Sequence, residues 1–303
     1  MIDFKKVSIK DYSKLKKYFN IYQSRVSELT FTNIFAWREK YNFKYAIIND
    51  FLFILNETEK GDIYFSPPIG DYKKDYQGAI ELLKDYCDEK NIKCIIKKLS
   101  EEKKDLIIKN EKFKYEIWNK RDQSDYLYNF DDLLNLSGNK YHKKKNRVNK
   151  FLKTYSNWSI ETIDENNINE CRKFLDNWCK ENNCEKISGL KYEKIAINEV
   201  FDNYNKLDCF GIILKIDDII AGFTVGEKLN DTTLVIHFEK GSTNYKSVYN
   251  MLSNQFLKTI DYDYKYINRE QDLGIKGLRR SKMSYHPIEL IDKYSILISD
   301  SDV

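Results

Sequence analysis

Apolar positions in the first half of the chain recur with two periods, which predict alternating helices and strands. Apolar side chains three or four residues apart, from Tyr76 through Ile80 and Leu83 to Cys87, predict a helix over 75–91. Short apolar runs on either side of Asn49-Asp50 predict two strands joined by a tight turn. By the same criteria we predict helices at 12–22, 32–40 and 101–110, strands at 4–9, 44–48, 51–56, 62–66 and 93–98, and a hairpin of 113–118 with 125–130.

The second half repeats this order after a basic helix predicted for 137–155. We predict helices at 168–180, 190–204, 246–260 and 275–283, and strands at 210–216, 219–228, 232–238, 264–268 and 288–297. Each half therefore contains a strand, two helices, a three-stranded antiparallel meander, and then helix, strand, helix, strand. That order is similar to the acyltransferase fold of the GCN5-related N-acetyltransferases (GNAT), in which two central strands splay apart at the donor cleft.

We therefore predict an α/β (α+β) protein with two tandem GNAT-like domains, each a mixed, mostly antiparallel sheet flanked by helices. The expected limits are 1–136 for the first domain, 137–156 for a basic linker helix, and 157–303 for a second domain that carries the active cleft. A chain of 303 residues is long enough for two such domains.

Composition narrows the class of protein. The 51 basic and 47 acidic side chains leave a net charge of only +4, so only a local basic patch would indicate a nucleic-acid partner. The first residues lack the apolar core of a signal peptide, and no apolar run is long enough for a transmembrane helix. The six cysteines form no C-x-x-C pair, so reduced thiols and a cytoplasmic location are expected.

The helix around residue 145 supplies such a basic patch. Residues 139–155 hold seven lysines and arginines and no acidic residue, while Tyr141, Val148 and Phe151 form an apolar stripe. One face is thus expected to pack and the other to present cations. The candidate polyanion-binding residues are Lys143, Lys144, Lys145 and Arg147. RNA phosphates suit them best; an anionic membrane surface or a merely solvated linker helix are the alternatives.

The most unusual polar cluster is 268–274, Asn-Arg-Glu-Gln-Asp-Leu-Gly, at the end of a predicted strand. Burying so many polar groups is costly unless they have partners. Asp272 is a candidate proton acceptor and Asn268 a candidate for orienting the acceptor. The alternative is structural, with Asp272 as a helix cap and Arg269 paired with Glu270. The candidates for binding phosphate, substrate or a developing oxyanion are Lys240, Arg269, Arg279, Lys282 and Tyr285.

His237-Phe238-Glu239-Lys240-Gly241 ends the neighbouring predicted strand. His237 and Glu239 alternate and should share one sheet face, as a base and the group that orients it. The alternative for His237 is a hydrogen-bonded core histidine. Only Gly241 precedes the next helix, which is a poor match to the Gly-rich turn that would cradle the pyrophosphate of acyl-coenzyme A. No spacing of ligands indicates a metal site.

Longer runs resemble a known family. Residues 268–287, NREQDLGIKGLRRSKMSYHP, resemble the signature of the family named for the C-terminal domain of phosphatidylglycerol lysyltransferases. Residues 125–128, 138–151 and 237–240 are similar to other segments of that family. The resemblance implies two tandem GNAT-like domains with an active cleft in the second, and an aminoacyl group taken from charged tRNA. This chain lacks the multi-span membrane domain of the lipid-modifying enzymes.

These observations together favour an acyltransferase or aminoacyltransferase. Glu239 or Asp272 would accept the proton of an attacking amine or hydroxyl, and the donor would be aminoacyl-tRNA or acyl-coenzyme A. The acceptor would be a small molecule, a peptide or a lipid headgroup. The alternatives are an acetyl-coenzyme-A-dependent N-acetyltransferase and a non-catalytic module that binds RNA or another polyanion.

Overall fold

The computed structural model describes residues 2–301, which divide into two compact units. One unit contains the chain up to Asp125 together with the residues from Ile291 onward; the other is Tyr126–Leu290. This division differs from the predicted limits at 136, 137–156 and 157. The reasons lie in the strand pairing and in the packing of the basic helix.

The first unit is built on a seven-stranded mixed sheet in the order β1-β2-β3-β4-β5-β14-β6. Strands β4 and β5 are parallel, joined at Phe65 and Ile96, and the meander β2-β3-β4 is antiparallel as predicted. Asn49 and Asp50 both have positive φ, as the predicted tight turn requires. Its elements are β1 Lys5–Lys6, α1 Tyr12–Tyr22, α2 Phe31–Ala36, α3 Arg38–Tyr41, β2 Lys44–Ile48, β3 Phe51–Glu57, β4 Ile63–Phe65, α4 Tyr76–Glu89, β5 Cys94–Leu99, α5 Glu101–Ile107, β6 Phe113–Asn119 and β14 Tyr294–Asp300.

The predicted hairpin of 113–118 with 125–130 is wrong. β6 pairs instead with β14, which lies between β5 and β6. The predicted strand 288–297 is likewise two strands, which belong to different sheets. Strand pairing between distant segments leaves no local signal, whereas the periodicity that identifies a strand is local.

A buried lysine fixes the end of the chain in the first unit. The ammonium group of Lys293 is 2.6 Å from a carboxylate oxygen of Asp125, and it also contacts Glu28. Lys293 and Asp125 are almost fully buried. Burial opposes the charge on Lys293, but the two carboxylates raise its pKa above the ordinary value. A buried lysine is tolerated only when it is paired in this way.

The second unit contains the other seven-stranded sheet, in the order β13-β7-β12-β11-β10-β9-β8. Strands β11 and β12 are parallel, whereas β11 pairs with β10, and β12 with β7, in the antiparallel direction. Its elements are β7 Asp125–Asn129, α6 Phe130–Asn135, α7 His142–Thr154, β8 Trp158–Thr162, α8 Ile168–Glu181, α9 Ser188–Asp202, β9 Phe210–Ile216, β10 Ile219–Asn230, β11 Thr233–Gly241, α10 Val248–Lys258, β12 Tyr266–Asn268, α11 Lys276–Met283 and β13 Glu289–Ile291.

The basic helix α7 is part of this second unit and not a linker. Its apolar stripe is buried, with Val148 and Phe151 in the same core as Met251 and Leu252 of α10. A helix that buries one face in a domain core gains the hydrophobic stabilisation of that core. The apolar stripe in the sequence therefore indicated the location of α7 better than the positive charge of the helix did.

A β-bulge shapes the centre of the second sheet. Val225 of β10 pairs with Phe238 and Gly226 pairs with Ile236, so His237 of β11 has no residue opposite it. Gly226 lies so close to β11 that a Cβ atom would be 2.6 Å from the carbonyl oxygen of Val235. The absence of a side chain at Gly226 therefore allows the strands to pair closely beside the extra residue.

Gly226→Ala is expected to destabilise the protein by about 1–3 kcal/mol, because the new methyl group must displace backbone. Gly189→Ala is the matched control, since nothing lies within 4 Å of its Cβ position. The urea midpoints of both variants test this. A Gly226→Ala midpoint equal to that of the wild type would contradict the packing argument.

Two further findings bear on the expectations from composition. Cys179 and Cys184 are joined by a disulfide, which closes the turn after α8. The expectation of six reduced thiols is therefore wrong for this pair. Although the two cysteines do not have a C-x-x-C spacing, the turn at the end of α8 brings them into contact. Within residues 2–301, no helix has both the length and the apolar character needed to cross a membrane.

Candidate functional site

The candidate site lies where two parallel strands of the second unit stop pairing. β12 pairs with β11 only at residues 233–235, and β11 then continues to Gly241 without it. His237 and Glu239 lie on this stretch of β11, which pairs with β10 but no longer with β12. The loop 269–274 that follows β12 contacts this stretch of β11 through Arg269 and Glu270.

Three side chains hold that loop in shape. The Oδ1 atom of Asn268 accepts a hydrogen bond from the N–H of Glu270 at 2.8 Å, and Asp272 accepts one from the N–H of Gly274 at 2.8 Å. The ammonium group of Lys282, on α11, donates to the carbonyl oxygens of Arg269, Glu270 and Gln271. Positive φ angles at Glu270, Leu273 and Gly274 complete the fold of the loop. Asn268 and Lys282 therefore act on the backbone of the loop.

Asp272 is fully engaged within this scaffold. Arg279 of α11 binds both of its carboxylate oxygens, at 2.8 and 2.9 Å, and the hydroxyl of Tyr126 donates to it at 2.6 Å. The Arg279 guanidinium holds the pKa of this carboxyl well below its usual range, although burial opposes the shift. A carboxylate that is this strongly stabilised in its charged form is a poor proton acceptor. The geometry thus favours a positioning role for Asp272.

The loop presents Arg269 to Glu239 on β11. A guanidinium nitrogen of Arg269 donates to Oε1 of Glu239 at 2.9 Å, and both side chains are 13% exposed. The alternative in which Arg269 pairs with Glu270 on the surface is therefore wrong. The turn of the loop sends these two neighbouring side chains to different partners on β11.

One carboxylate oxygen of Glu239 makes no hydrogen bond to the described residues. This oxygen is Oε2, and it is buried. Burial raises the pKa of Glu239 above its ordinary value, even though Arg269 and Lys282 act in the opposite direction. A carboxylate with a raised pKa and a free oxygen has the properties of a general base.

His237 is held between two carboxylates and does not pair with Glu239. One ring nitrogen is 2.8 Å from Glu227 and the other is 2.9 Å from Glu270. Burial alone would lower the pKa of His237, but the two carboxylates raise it to about 10. The predicted base-and-orienter pair is thus wrong, because the bulge at His237 breaks the simple alternation along β11.

The remaining candidates divide between two places. Lys240 leaves the strand away from the loop and pairs with Glu193 of α9 at 2.7 Å, with its ammonium group over the ring of Trp178. Tyr285 lies beside the site: it is buried, its hydroxyl accepts a hydrogen bond from Asn250, and Arg269 lies 5.1 Å from its ring centre. Lys240 and Arg269 therefore bind different partners and do not contact each other.

The four candidate polyanion-binding residues of α7 do not share one face. Lys144 is buried, whereas Lys143, Lys145 and Arg147 are exposed. Lys143, Lys144 and Arg147 line one cavity, and Lys145 does not.

The partners Glu227, Glu270 and Tyr126 were not singled out from the sequence as functional. Their roles depend on strand register, for which a single sequence holds no local signal. Within the described residues, no group of three or more His, Cys, Asp or Glu side chains is arranged to hold a metal ion.

Comparison with known proteins agrees with the fold. The family described as phosphatidylglycerol lysyltransferase, C-terminal, matches residues 19–297. A crystal structure of a conserved protein of unknown function from Bacteroides thetaiotaomicron is 30% identical and superposes with a TM-score of 0.93, over 99% of this chain and 100% of that one.

More distant matches share the fold alone. The structure of L-PGS from Bacillus licheniformis is 14% identical, with a TM-score of 0.64 over 94% of this chain and 91% of that one. A tandem GNAT protein from the clavulanic acid biosynthesis pathway is 6% identical, with a TM-score of 0.50 over the whole of both chains. The predicted pair of tandem GNAT-like domains is thereby confirmed.

A curated relative, an uncharacterised protein of Mycoplasmoides gallisepticum, is 28% identical over 180 residues. The match covers 58% of this chain and 56% of that protein, so it spans about half of the relative's length.

Proposed function

The chain belongs to the phosphatidylglycerol lysyltransferase C-terminal family, and from that premise we propose that it transfers an aminoacyl group from a charged tRNA to an amine or hydroxyl. The family name describes a transferase of an aminoacyl group, and the tandem GNAT-like fold is that of acyltransferases. The acceptor would be a small molecule, a peptide or a lipid headgroup. Glu239 is the proposed proton acceptor.

The observation that carries this proposal is the free Oε2 atom of Glu239. Arg269 holds Oε1 and so fixes the direction of the carboxylate, while Oε2 is buried without a partner among the described residues. An unsatisfied buried oxygen costs free energy, which a donor from the substrate would recover. The proton of an attacking amine or hydroxyl is such a donor.

The proposed reaction is direct acyl transfer. The nucleophilic nitrogen or oxygen of the acceptor bonds to the ester carbonyl carbon of the donor as its proton passes to Glu239. The bond from that carbon to the ribose oxygen then breaks, and the proton goes to the departing ribose hydroxyl. Arg269 is the nearby cation that would stabilise negative charge at the reacting carbonyl, and Asn268, Asp272 and Lys282 would position it through the loop.

The loop after β11 argues against acyl-coenzyme A as the donor. A pyrophosphate site in this position needs backbone N–H groups that are free to bind phosphate oxygens. Here the N–H groups of Ser242, Asn244, Tyr245 and Lys246 all donate to acceptors within the protein. This supports an ester donor over a thioester of coenzyme A.

A non-catalytic module that binds a polyanion remains the second candidate, because α7 presents several cations. The two functions differ in one respect: a module would bind charged and uncharged tRNA equally. A transferase would consume the aminoacyl ester.

The test is to incubate the protein with tRNA charged with radiolabelled amino acids and with candidate acceptors, and to follow loss of the ester and transfer of label. We expect ester loss to be faster than spontaneous hydrolysis, with no free thiol released from acetyl-coenzyme A in a parallel reaction. If charged tRNA is bound but its ester decays at the spontaneous rate with every acceptor, the module is favoured. Thiol release from acetyl-coenzyme A would instead favour the N-acetyltransferase.

A further inference from the structure

A basic cavity lies in the second unit between α7 and α11. It has a volume of about 600 Å³ and is lined by nine residues, none of them acidic: Lys140, Lys143, Lys144, Arg147, Gly277, Arg280, Ser281, Ser284 and His286. Lys143, Lys144 and Arg147 are spaced i, i+1 and i+4 on α7, and Lys140 lies on the 3-10 turn that precedes the helix. A fifth cation, Arg280, comes from α11.

Most of this positive charge is not neutralised by the protein. Lys140 pairs with Asp132 at 2.8 Å. Across residues 2–301, Lys143, Lys144, Arg147 and Arg280 have no carboxylate within ion-pair distance. Cations that repel one another around a concave surface indicate an anionic ligand.

Lys144 is the strongest evidence for such a ligand. Its side chain is buried to 6% exposure, although it is a lysine without a counter-ion. Its ammonium group donates to Oγ of Ser284 at 2.6 Å and lies 3.7 Å from the ring centre of Tyr285. Burial, together with the positive charges of Arg147 and Arg269, lowers the pKa of Lys144 to about 8. A buried cation of this kind is stabilised when an anion binds beside it.

Tyr285 connects this cavity to the candidate site. Lys144 and Arg269 both lie over its ring, and Arg269 in turn pairs with Glu239. Three side chains, Lys144, Tyr285 and Arg269, would therefore link a ligand anion at Lys144 to the proposed base. The serine hydroxyls at 281 and 284 add neutral hydrogen-bonding groups to the cations.

We propose that this cavity binds the phosphate group of a phosphate ester, held by Lys144, Arg280 and Arg147, with Tyr285 and Arg269 linking Lys144 to Glu239. Guanidinium and ammonium groups together with serine hydroxyls are the usual donors to phosphate oxygens. The inference deepens the proposed function, on which the assignment of the phosphate ester to the donor or the acceptor rests. The same chemistry would serve a nucleotide phosphate of the donor or the phosphate of a headgroup on the acceptor.

The test measures binding alone, by isothermal titration of AMP and of sn-glycerol 3-phosphate at fixed ionic strength. We expect Lys144→Met and Arg280→Met each to weaken binding of the preferred ester by about tenfold or more, because each removes a charge-assisted hydrogen bond. Lys145→Met is the matched control, since it removes one lysine of α7 that does not line the cavity. Thermal melting of each variant establishes that it is folded.

The outcomes separate clearly. Tighter binding of AMP supports a nucleotide phosphate as the ligand, and tighter binding of glycerol phosphate supports a headgroup; either supports the site. Failure of both esters to bind overturns it, as does an equal loss in Lys144→Met and Lys145→Met. Because no ester bond is consumed in this measurement, its result does not depend on whether charged tRNA is the donor.

Discussion

Glu239→Gln is expected to slow aminoacyl transfer by about 10²–10⁴-fold, which is the usual contribution of a positioned general base. Glutamine keeps the size of the side chain and a hydrogen-bond acceptor for Arg269, but it cannot take up the proton of the acceptor. The rate of label transfer from charged tRNA measures this. Binding of the donor should change much less than the rate, since the substitution leaves the cationic cavity intact.

The pH dependence of the wild type provides a second measurement of the same base. Glu239 must be ionised to accept a proton, and burial raises its pKa above the ordinary value. Transfer activity should therefore fall on the acid side at a higher pH than an ordinary glutamate would give, and rise as the carboxyl loses its proton. In Glu239→Gln this acid limb should be absent from the residual activity.

Glu161→Gln is the matched control for this experiment. Glu161 lies on β8 and pairs with Lys215, and its side chain is 40% exposed. The same change of chemistry there should leave transfer unaffected. A Glu239→Gln variant that melts like the wild type and transfers at the wild-type rate would remove Glu239 from the mechanism.

Elements that depend on local periodicity could be predicted from the sequence. Helix α1 and strands β2 and β9 were predicted within their observed limits, and the stripe from Tyr76 to Cys87 is the buried face of α4. In each case the side chains that define the element are neighbours along the chain, so their spacing alone indicates which face is buried.

Elements whose pairing depends on distant segments of the chain could not be predicted from the sequence. The chain order gives no reason for β14 to lie between β5 and β6, because that pairing is set by the packing of the whole first unit. The bulge at His237 is a similar case. It arises from the register between β10 and β11, and it redirects His237 away from Glu239 toward Glu227 and Glu270.

The signature around residue 270 located the candidate site but did not show what its members do. Asp272 and Asn268 are chemically suited to act on a substrate, yet in the structure they bind the loop itself and Arg279. The sequence does not show in which direction a carboxylate points or which groups it binds. Only the contacts around each carboxylate separate the proposed base, Glu239, from Asp272, whose oxygens bind Arg279 and the loop.

The same reasoning applies to stability, where His237→Gln is expected to destabilise the protein by about 3–5 kcal/mol near pH 6.5. The imidazolium of His237 lies between Glu227 and Glu270 and is buried, with its side chain 2% exposed. Glutamine would leave two carboxylates in a buried site without the cation between them. Unfolding in urea, followed by circular dichroism, measures the loss. His142→Gln, on an exposed turn of α7, is the control and should change stability by less than about 0.5 kcal/mol.

The pH dependence of this effect has a definite sign. The pKa of His237 is about 10 in the folded protein, against an ordinary value of 6.5. A group whose pKa is raised by folding contributes its full stabilisation below the lower value and loses it as the pH rises through the higher one. The difference in unfolding free energy between wild type and His237→Gln should therefore be largest at or below pH 6.5 and shrink as the pH approaches 10. A difference that stays constant over this range, or grows with pH, would mean that His237 is neutral in the folded protein and that the two carboxylates are not held by its charge.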